Sequence, residues 1–318
     1  MNWAMEAGIS VANDKSRRPV FYGSLIFLQT FLWGVGNPVA KISLETIPPF
    51  YCMALRFTLA FILFMVFFGK KIIAQIEKPQ LINCLIIGVF TAASFNFSTL
   101  SLLHTTATTS GFLLSFSVVF TPILSFLVLK EKLDKKLALG ILIVMVGMYF
   151  LCGNSGSFSF GIGEIYALLS ALTGAGMLTY TSKNASNIGT LAISASQCGI
   201  TAVISFIFAF AFEDYHALAT TSTTAWICIL YLAVGCTCIA YALQNIALCH
   251  VSATFVSLAF CTEPIFTAIS AFVLLHEVLS LSGLLGAALI LVGLVIATLL
   301  SASTTNPSDP NSLKVEEK

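Results

Sequence analysis

Apolar runs of membrane-spanning length alternate with short polar joints along the whole 318-residue chain, at 20–40, 49–69, 80–103, 107–129, 135–152, 161–182, 190–212, 225–247, 253–275 and 281–301. A helix needs about 20 mostly apolar residues to cross the hydrocarbon core of a bilayer, so the pattern predicts ten transmembrane helices. Joints such as His104-Thr105-Thr106 and His250-Val251-Ser252 hold only a few residues. They fit tightly connected helical hairpins and leave no room for an extramembrane domain. Polar positions inside the spans recur at helical spacing. Tyr241, Gln244, Asn245 and Leu248 follow i, i+3, i+4, i+7 on the eighth span, and Gln29, Trp33 and Asn37 share a face of the first.

The pattern is also duplicated. His104 to Met148 aligns without a gap with His250 to Leu294 at a constant offset of 146 residues (250 − 104), pairing His104 with His250, Ala107 with Ala253, Glu131 with Glu277, Leu133 with Leu279, Gly140 with Gly286 and Gly147 with Gly293. The same offset maps Tyr241 to Phe95 and Asn245 to Thr99, with Asn96 adjoining them on the third span. An offset of five spans turns the second copy upside down in the membrane. Basic residues fix the absolute orientation, because cytoplasmic loops retain lysine and arginine. With the N-terminus inside, all the other basic residues lie on the cytoplasmic side, leaving Lys41 alone outside and Arg56 within the second span. An inverted repeat embedded in lipid is the architecture of alternating access. The fold class expected is therefore an all-α polytopic membrane protein of ten helices in two inverted five-helix repeats. Its organisation is a cytoplasmic tail at 1–19, repeats at 20–152 and 160–302, and a disordered cytoplasmic tail at 303–318 that is polar and holds Asn306-Pro307-Ser308-Asp309-Pro310.

Composition agrees: 58% of residues are hydrophobic and 9% charged, against roughly a quarter charged in a soluble domain. The net charge of +1 says little, and nothing points to nucleic acid. The first 19 residues place Lys15, Arg17 and Arg18 before an apolar run too long for a signal-peptide core, with no small-residue cleavage pattern after it, so a retained signal anchor is expected. The nine cysteines lie in or at the ends of apolar stretches without zinc-site or disulfide spacing. Cys236 and Cys238 are two apart and point to different helix faces, and the four histidines are scattered. No metal site, cofactor or catalytic cluster is expected.

Several short patterns together resemble the EamA-type branch of the drug/metabolite transporter superfamily. They are the glycine-rich first helix of each repeat (Trp33-Gly34-Val35-Gly36-Asn37 and Thr173-Gly174-Ala175-Gly176-Met177), the Arg56-Phe57 pair, and the run Glu263-Pro264-Ile265-Phe266, Leu274-Leu275-His276-Glu277, Leu284-Leu285-Gly286-Ala287-Ala288. The resemblance covers residues 20 to 301 and implies a transporter, with export as its direction. The family's cargoes range over amino acids, nucleobases, other metabolites and drugs. In the first repeat the proline is Pro122, four residues beyond the position that matches Pro264.

A charge inside a bilayer costs about 2.5 to 3.5 kcal/mol on insertion scales, which makes it a functional candidate by default. Glu263 lies near the middle of the ninth span, before Pro264, where a kink is expected. It is read either as a site for a proton or a cationic cargo group, or as a neutral acid that stabilises the bend. Arg56 is read as snorkelling, as pairing with Glu263, or as neutralising a cargo carboxylate. Glu164 and Lys41 are read as interface-solvated. A cargo cavity bounded by Trp33, Asn37, Asn96, Tyr241, Gln244 and Asn245 is expected between the repeats, against the alternative that these polar groups only bond helix to helix. Gly140, Gly147, Gly283, Gly286 and Gly293, among leucines and valines, are read as packing surfaces.

These features favour a secondary transporter of a small amino acid-like, nucleobase-like or drug-like metabolite. A membrane receptor or scaffold would not need the inversion, and a membrane-embedded enzyme would need clustered catalytic groups. The partners expected are a small-molecule cargo, the lipid bilayer and protons as the candidate coupling ion, with a homodimer left open. The location expected is the plasma membrane, a bacterial inner membrane, with both termini cytoplasmic.

Overall fold

The computed structural model describes residues 17–76, 78–129, 137–154, 157–158, 161–184, 187–251, 256 and 259–302. The expectations placed on residues 1–16 with Lys15, on Glu131, Leu133 and the lysines at 130–136, on Ala253 and on the tail 303–318 lie outside them.

The described chain is helical almost throughout. The helices are α1 (Arg17–Ser43), α2 (Pro49–Gln75), α3 (Leu81–His104), α4 (Ala107–Leu114), α5 (Ser117–Leu129), α6 (Leu137–Cys152), α7 (Ile162–Asn184), α8 (Thr190–Phe212), α9 (Thr223–Tyr231), α10 (Ala240–Leu248), α11 (Glu263–Leu275) and α12 (Leu281–Ala302). A short antiparallel pair, Gly153–Asn154 with Ser157–Phe158, follows α6. A π-helical stretch, Leu232–Ile239, joins α9 to α10. Among the described residues six segments are long and apolar enough to cross a membrane: Pro49–Gln75, Leu81–His104, Ala107–Val128, Ile162–Asn184, Thr190–Phe212 and Thr223–Leu248. Shorter apolar helices run over Leu142–Leu151, Glu263–Leu275 and Leu281–Gly293.

Local chemistry sets the ends. Pro49 opens α2, where a missing N–H costs nothing. Thr106 and Ser222 cap α4 and α9 by accepting from Thr109 N and Ala225 N. At the end of α11 the chain turns through His276 in the left-handed region, φ 53°, which leaves the Glu277 N–H to close on Ala271 O at 3.3 Å.

The distribution of side chains is inverted relative to a soluble protein. Phe67, Phe210, Phe212 and Val278 are more than two-thirds exposed, while Gln29, Gln197, Gln244 and Asn245 are buried. An apolar perimeter around a polar interior is what lipid solvation requires. Small residues bring the backbones together. A Cβ on Gly147 would lie 2.7 Å from Ile290 N, and one on Gly293 would lie 2.8 Å from Val144 N, so α6 and α12 meet backbone to backbone; Gly286 faces Leu151 and Gly147 at the same contact. Gly283 does not join this surface, because its neighbours are Ser280 and Leu279 of its own turn.

Candidate functional site

The site is built on the Gly34-Val35-Gly36 step of α1. Residues two apart on a helix face nearly opposite directions, and here each glycine admits a different neighbour. A Cβ on Gly34 would lie 2.5 Å from Phe266 Cβ and 2.9 Å from Glu263 O, while one on Gly36 would lie 2.7 Å from Cys236 Sγ. α1 is thus wedged between α11 and the π stretch. Ser270 Oγ donates to Gly34 O at 3.1 Å on the first side, and the Trp33 indole N–H donates to Cys236 O at 2.7 Å on the second. Asn37, one turn along, donates to Glu263 Oε1 at 3.3 Å and to Thr267 Oγ1 at 3.2 Å.

Two interrupted helices complete the wall. The helical path of α4 into α5 breaks at Ser115–Phe116, and a 3-10 turn at Phe260–Thr262 precedes α11. Pro264 directly follows this 3-10 interruption of the helical path. It stands in the first turn of α11, where its absent N–H interrupts no hydrogen bond, and Glu263 is the first residue of that helix. The two breaks are related by the repeat offset: Leu114 pairs with Phe260 and Ser117 with Glu263, and all four side chains line one cavity. Only the second repeat places a carboxylate there.

Arg56 of α2 faces the same space. Its Nε donates to Thr237 Oγ1 at 2.7 Å, and Thr237 Oγ1 donates to Leu232 O at 2.9 Å within the π stretch, whose wide turn presents the hydroxyl inward. The guanidinium carbon lies 5.0 Å from the Phe95 ring centre and 5.3 Å from that of Phe57, within cation–π range. At 5% exposure Arg56 does not snorkel, and among the described residues it forms no ion pair with Glu263.

The cavity, of about 100 Å³, is lined by Trp33, Asn37, Arg56, Phe95, Phe260 and Glu263 together with small residues of α3 and α7 that include Ser94, Ser98, Thr99, Ser170 and Gly174. Its aromatic corner is tightly made, with Trp33 ring centres 5.4 Å from Phe260, 5.9 Å from Tyr241 and 6.2 Å from Phe95. The structure thus brings Trp33, Asn37, Arg56 and Glu263 together. It keeps the other expected site residues off the wall. Tyr241 is buried behind Trp33 and donates to Met177 Sδ at 3.7 Å. Gln244 accepts from Gln29 Nε2 at 2.7 Å, Asn245 donates to Ser194 Oγ at 2.8 Å and Gln197 Oε1 at 3.0 Å, and Asn96 donates to Ser205 Oγ at 3.0 Å. In this structure those amides join helix to helix. Ser117, Phe260 and Cys236 line the cavity without having been expected there.

Beyond one end of the cavity the loop carboxylates bind helix termini. Glu277 accepts from Ala107 N and Thr108 N, each at 2.9 Å, from Thr108 Oγ1 at 2.8 Å and from Lys41 Nζ at 3.4 Å. Burial alone would raise its carboxyl, but these donors outweigh burial and hold it below the ordinary carboxylate range. Lys41 also donates to Thr105 O at 2.7 Å, and Thr105 Oγ1 donates to Glu164 at 2.6 Å. Lys41 and Glu164 are thus held by named partners, not by interfacial water alone. Glu213 accepts from Phe50 N at 2.7 Å and Tyr51 N at 2.9 Å, yet burial keeps its carboxyl above the ordinary range.

Comparison with known proteins gives this geometry a context. The EamA-like transporter family matches the chain twice, over residues 21–153 and 161–299. An uncharacterized transporter of Archaeoglobus fulgidus is 30% identical over 272 residues, covering 86% of this chain and 84% of that one. The uncharacterized transporter YetK of Bacillus subtilis is 27% identical, covering 87% of each. A crystal structure with 20% sequence identity superposes with a TM-score of 0.68, covering 89% of this chain and 99% of that one, and so shares the fold. With six segments among the described residues long and apolar enough to span a bilayer, this is an integral membrane protein, and by its two family matches the chain belongs to the EamA-like transporter family.

Proposed function

We propose that the protein is a secondary transporter that exports a small metabolite by alternating access, with ten spans in two inverted five-helix repeats and both termini in the cytoplasm of a bacterial cell. The observation that carries this reading is the convergence of repeat-related positions, Leu114 with Phe260 and Ser117 with Glu263, on one small cavity that also holds Arg56, Asn37 and Trp33. Charged groups enclosed among membrane helices are costly and mark cargo or ion sites, and a site at the interface of two inverted repeats is reachable from either side when the repeats rock. Trp33, Asn37, Arg56 and Glu263 contact the cargo in this reading, and Glu263 also takes up the coupling proton. The positive-inside orientation puts the Lys41, Glu277, Thr105 and Glu164 contacts outside and the Gln29–Gln244 contact on the cytoplasmic half.

The test compares metabolites released into the medium by cells expressing the wild type and the Trp33→Ala variant at equal membrane abundance. At least one metabolite should accumulate outside with the wild type and fall at least several-fold with the variant. Identical profiles, and no difference from cells lacking the protein, would sink the reading.

A further inference from the structure

The geometry points to a zwitterionic cargo with a compact apolar body, its carboxylate held by Arg56 and its ammonium by Glu263 and Asn37. This inference rests on the transporter reading and narrows it.

Arg56 carries the first half of the argument. A guanidinium stays charged under all ordinary conditions, and this one is 5% exposed, lines the cavity and has no carboxylate paired with it among the described residues. Its Nε is committed to Thr237 Oγ1, and the Phe95 and Phe57 rings hold the group from the side. The two terminal amino groups have no hydrogen-bond acceptor among the described residues. A planar fork of donors with its orientation fixed and its ends unmatched is complementary to a carboxylate, which accepts two parallel hydrogen bonds.

Glu263 carries the second half. One carboxylate oxygen accepts from Asn37 Nδ2; the other has no donor among the described residues. Asn37 gives its amide nitrogen to Glu263 and Thr267 and keeps its carbonyl oxygen as a further acceptor. Lys41, the nearest lysine along α1, is engaged with Thr105 and Glu277 instead. One guanidinium and one carboxyl group thus line the same cavity of about 100 Å³ without forming an ion pair among the described residues. In a site of low polarity opposite charges attract strongly, so their separation leaves a place for a molecule that brings both charges in the reverse order. Trp33, Phe95 and Phe260 supply an apolar wall for the rest of it, and among the described residues no second carboxylate or second cation lines the cavity. A nucleobase would leave both charges unmatched, and a singly charged amphiphile would leave one.

The test uses the purified full-length protein in detergent and three molecules that share the branched apolar chain of leucine: leucine, 4-methylpentanoate, which lacks the amine, and 3-methylbutylamine, which lacks the carboxylate. Adenine serves as a neutral heterocycle. Binding is read from the shift in thermal unfolding over a concentration series. Leucine should bind at least tenfold more tightly than either of its counterparts and than adenine. Arg56→Gln should erase the advantage of leucine over 3-methylbutylamine, and Glu263→Gln its advantage over 4-methylpentanoate. If Arg56→Gln does not fold, Arg56→Lys, which keeps the charge and loses the fork, should weaken leucine several-fold. Equal binding of leucine and either counterpart, tighter binding of adenine, or no binding of any probe overturns the zwitterion. Counterflow in proteoliposomes separates the two readings. Trp33-dependent counterflow of adenine or of 3-methylbutylamine alone leaves a transporter with another cargo. No counterflow of any probe, together with no metabolite released from cells, removes both.

Discussion

Glu277 closes the N-terminus of a helix that begins 170 residues earlier in the chain: its Oε1 accepts the Ala107 N–H at 2.9 Å. The first N–H groups of a helix have no partner within it, and a carboxylate there gains from both the hydrogen bonds and the helix dipole. Here the cap comes from the loop between α11 and α12, so it does more than finish α4. With Lys41 it ties the end of α1, the start of α4 and the α11–α12 loop into one cluster.

Removing that carboxylate should loosen the cluster. Glu277→Gln is expected to lower stability by about 1 to 3 kcal/mol, the range for losing charge-assisted hydrogen bonds. The folded carboxyl sits below its ordinary value of about 4.3, so its contribution is complete above that value and disappears as pH falls through the folded one. Glu213 has the opposite sign. Its raised carboxyl contributes stability that is full below the ordinary value and is lost as pH rises through the folded one. Melting curves in detergent across the acid range should therefore show the wild type and Glu277→Gln converging at low pH, with the advantage of the wild type over Glu213→Gln growing as pH falls. Parallel curves for wild type and Glu277→Gln would exclude an ionised cap.

The two glycines of α1 should respond differently to the same substitution. Gly36→Ala would press on Cys236 Sγ, with Cys236 Cβ next at 3.6 Å, an ordinary contact. Removing the sulfur should therefore make room. Gly34→Ala meets Phe266 Cβ and the Glu263 carbonyl, which no truncation short of glycine removes. Overpacking costs about 1 to 3 kcal/mol; the Gly36→Ala penalty should be largely recovered in Gly36→Ala/Cys236→Ala, whereas Gly34→Ala should stay destabilised in the Cys236→Ala background. Thermal unfolding of the three single and two double variants decides it, and additive effects of Gly36→Ala and Cys236→Ala would refute the contact.

Much of the fold could be read from the sequence because its signals are local. α8 runs over Thr190–Phe212 as expected, since Gly189 and the Glu213–Asp214 pair bound an uninterrupted apolar run. The site was legible only where a local signal coincided with the cavity. Trp33 and Asn37 share a face beside two glycines, and that face meets the cavity. Tyr241, Gln244 and Asn245 also share a face, but helical spacing says which residues point together and not what they meet; here they meet Trp33, Gln29 and the α8 amides. The π stretch has no residue pattern that announces it. Pro264 announced a break in the helical path but not its form, a 3-10 turn at Phe260–Thr262. Ser117 and Leu114 could have been found by carrying the repeat offset back from Glu263 and Phe260.

The amides that miss the cavity motivate a prediction about the Gln29–Gln244 seam, which the proposed orientation puts in the cytoplasmic half. Gln29, Gln244, Asn245 and Gln197 are all buried, and each has a side-chain atom without a hydrogen-bond partner among the described residues: Gln29 Oε1, Gln244 Nε2, Asn245 Oδ1 and Gln197 Nε2. An unmatched buried polar atom costs about 1 to 3 kcal/mol, a cost relieved if this seam opens to water in the other access state. A Gln29→Cys/Gln244→Cys pair joined by a short thiol crosslinker, in an otherwise cysteine-free background, should stop transport, and a crosslinker cleaved by reductant should let it resume. Undiminished transport through the crosslinked protein would place the cytoplasmic path elsewhere.

Glu263 decides whether the cavity binds cargo only or also couples transport to a proton. Its side chain lines the cavity and, among the described residues, accepts one hydrogen bond, from Asn37, so a proton or a cargo ammonium can reach the other oxygen but not both at once. Under the proposed reading, competition for this one carboxyl group would exchange one for the other across the membrane. Glu263→Gln preserves size and hydrogen bonding and cannot ionise. It should raise KM for a cationic or zwitterionic cargo and reduce accumulation driven by a pH gradient at least tenfold in liposomes. Exchange of cargo for cargo, which needs no proton, should persist at saturating concentration. If Glu263 only steadied the first turn of α11, glutamine would serve as well and both fluxes would match the wild type. Loss of gradient-driven flux with exchange retained assigns the proton to Glu263; wild-type gradient-driven flux assigns it to another group and leaves Glu263 as a helix-start residue.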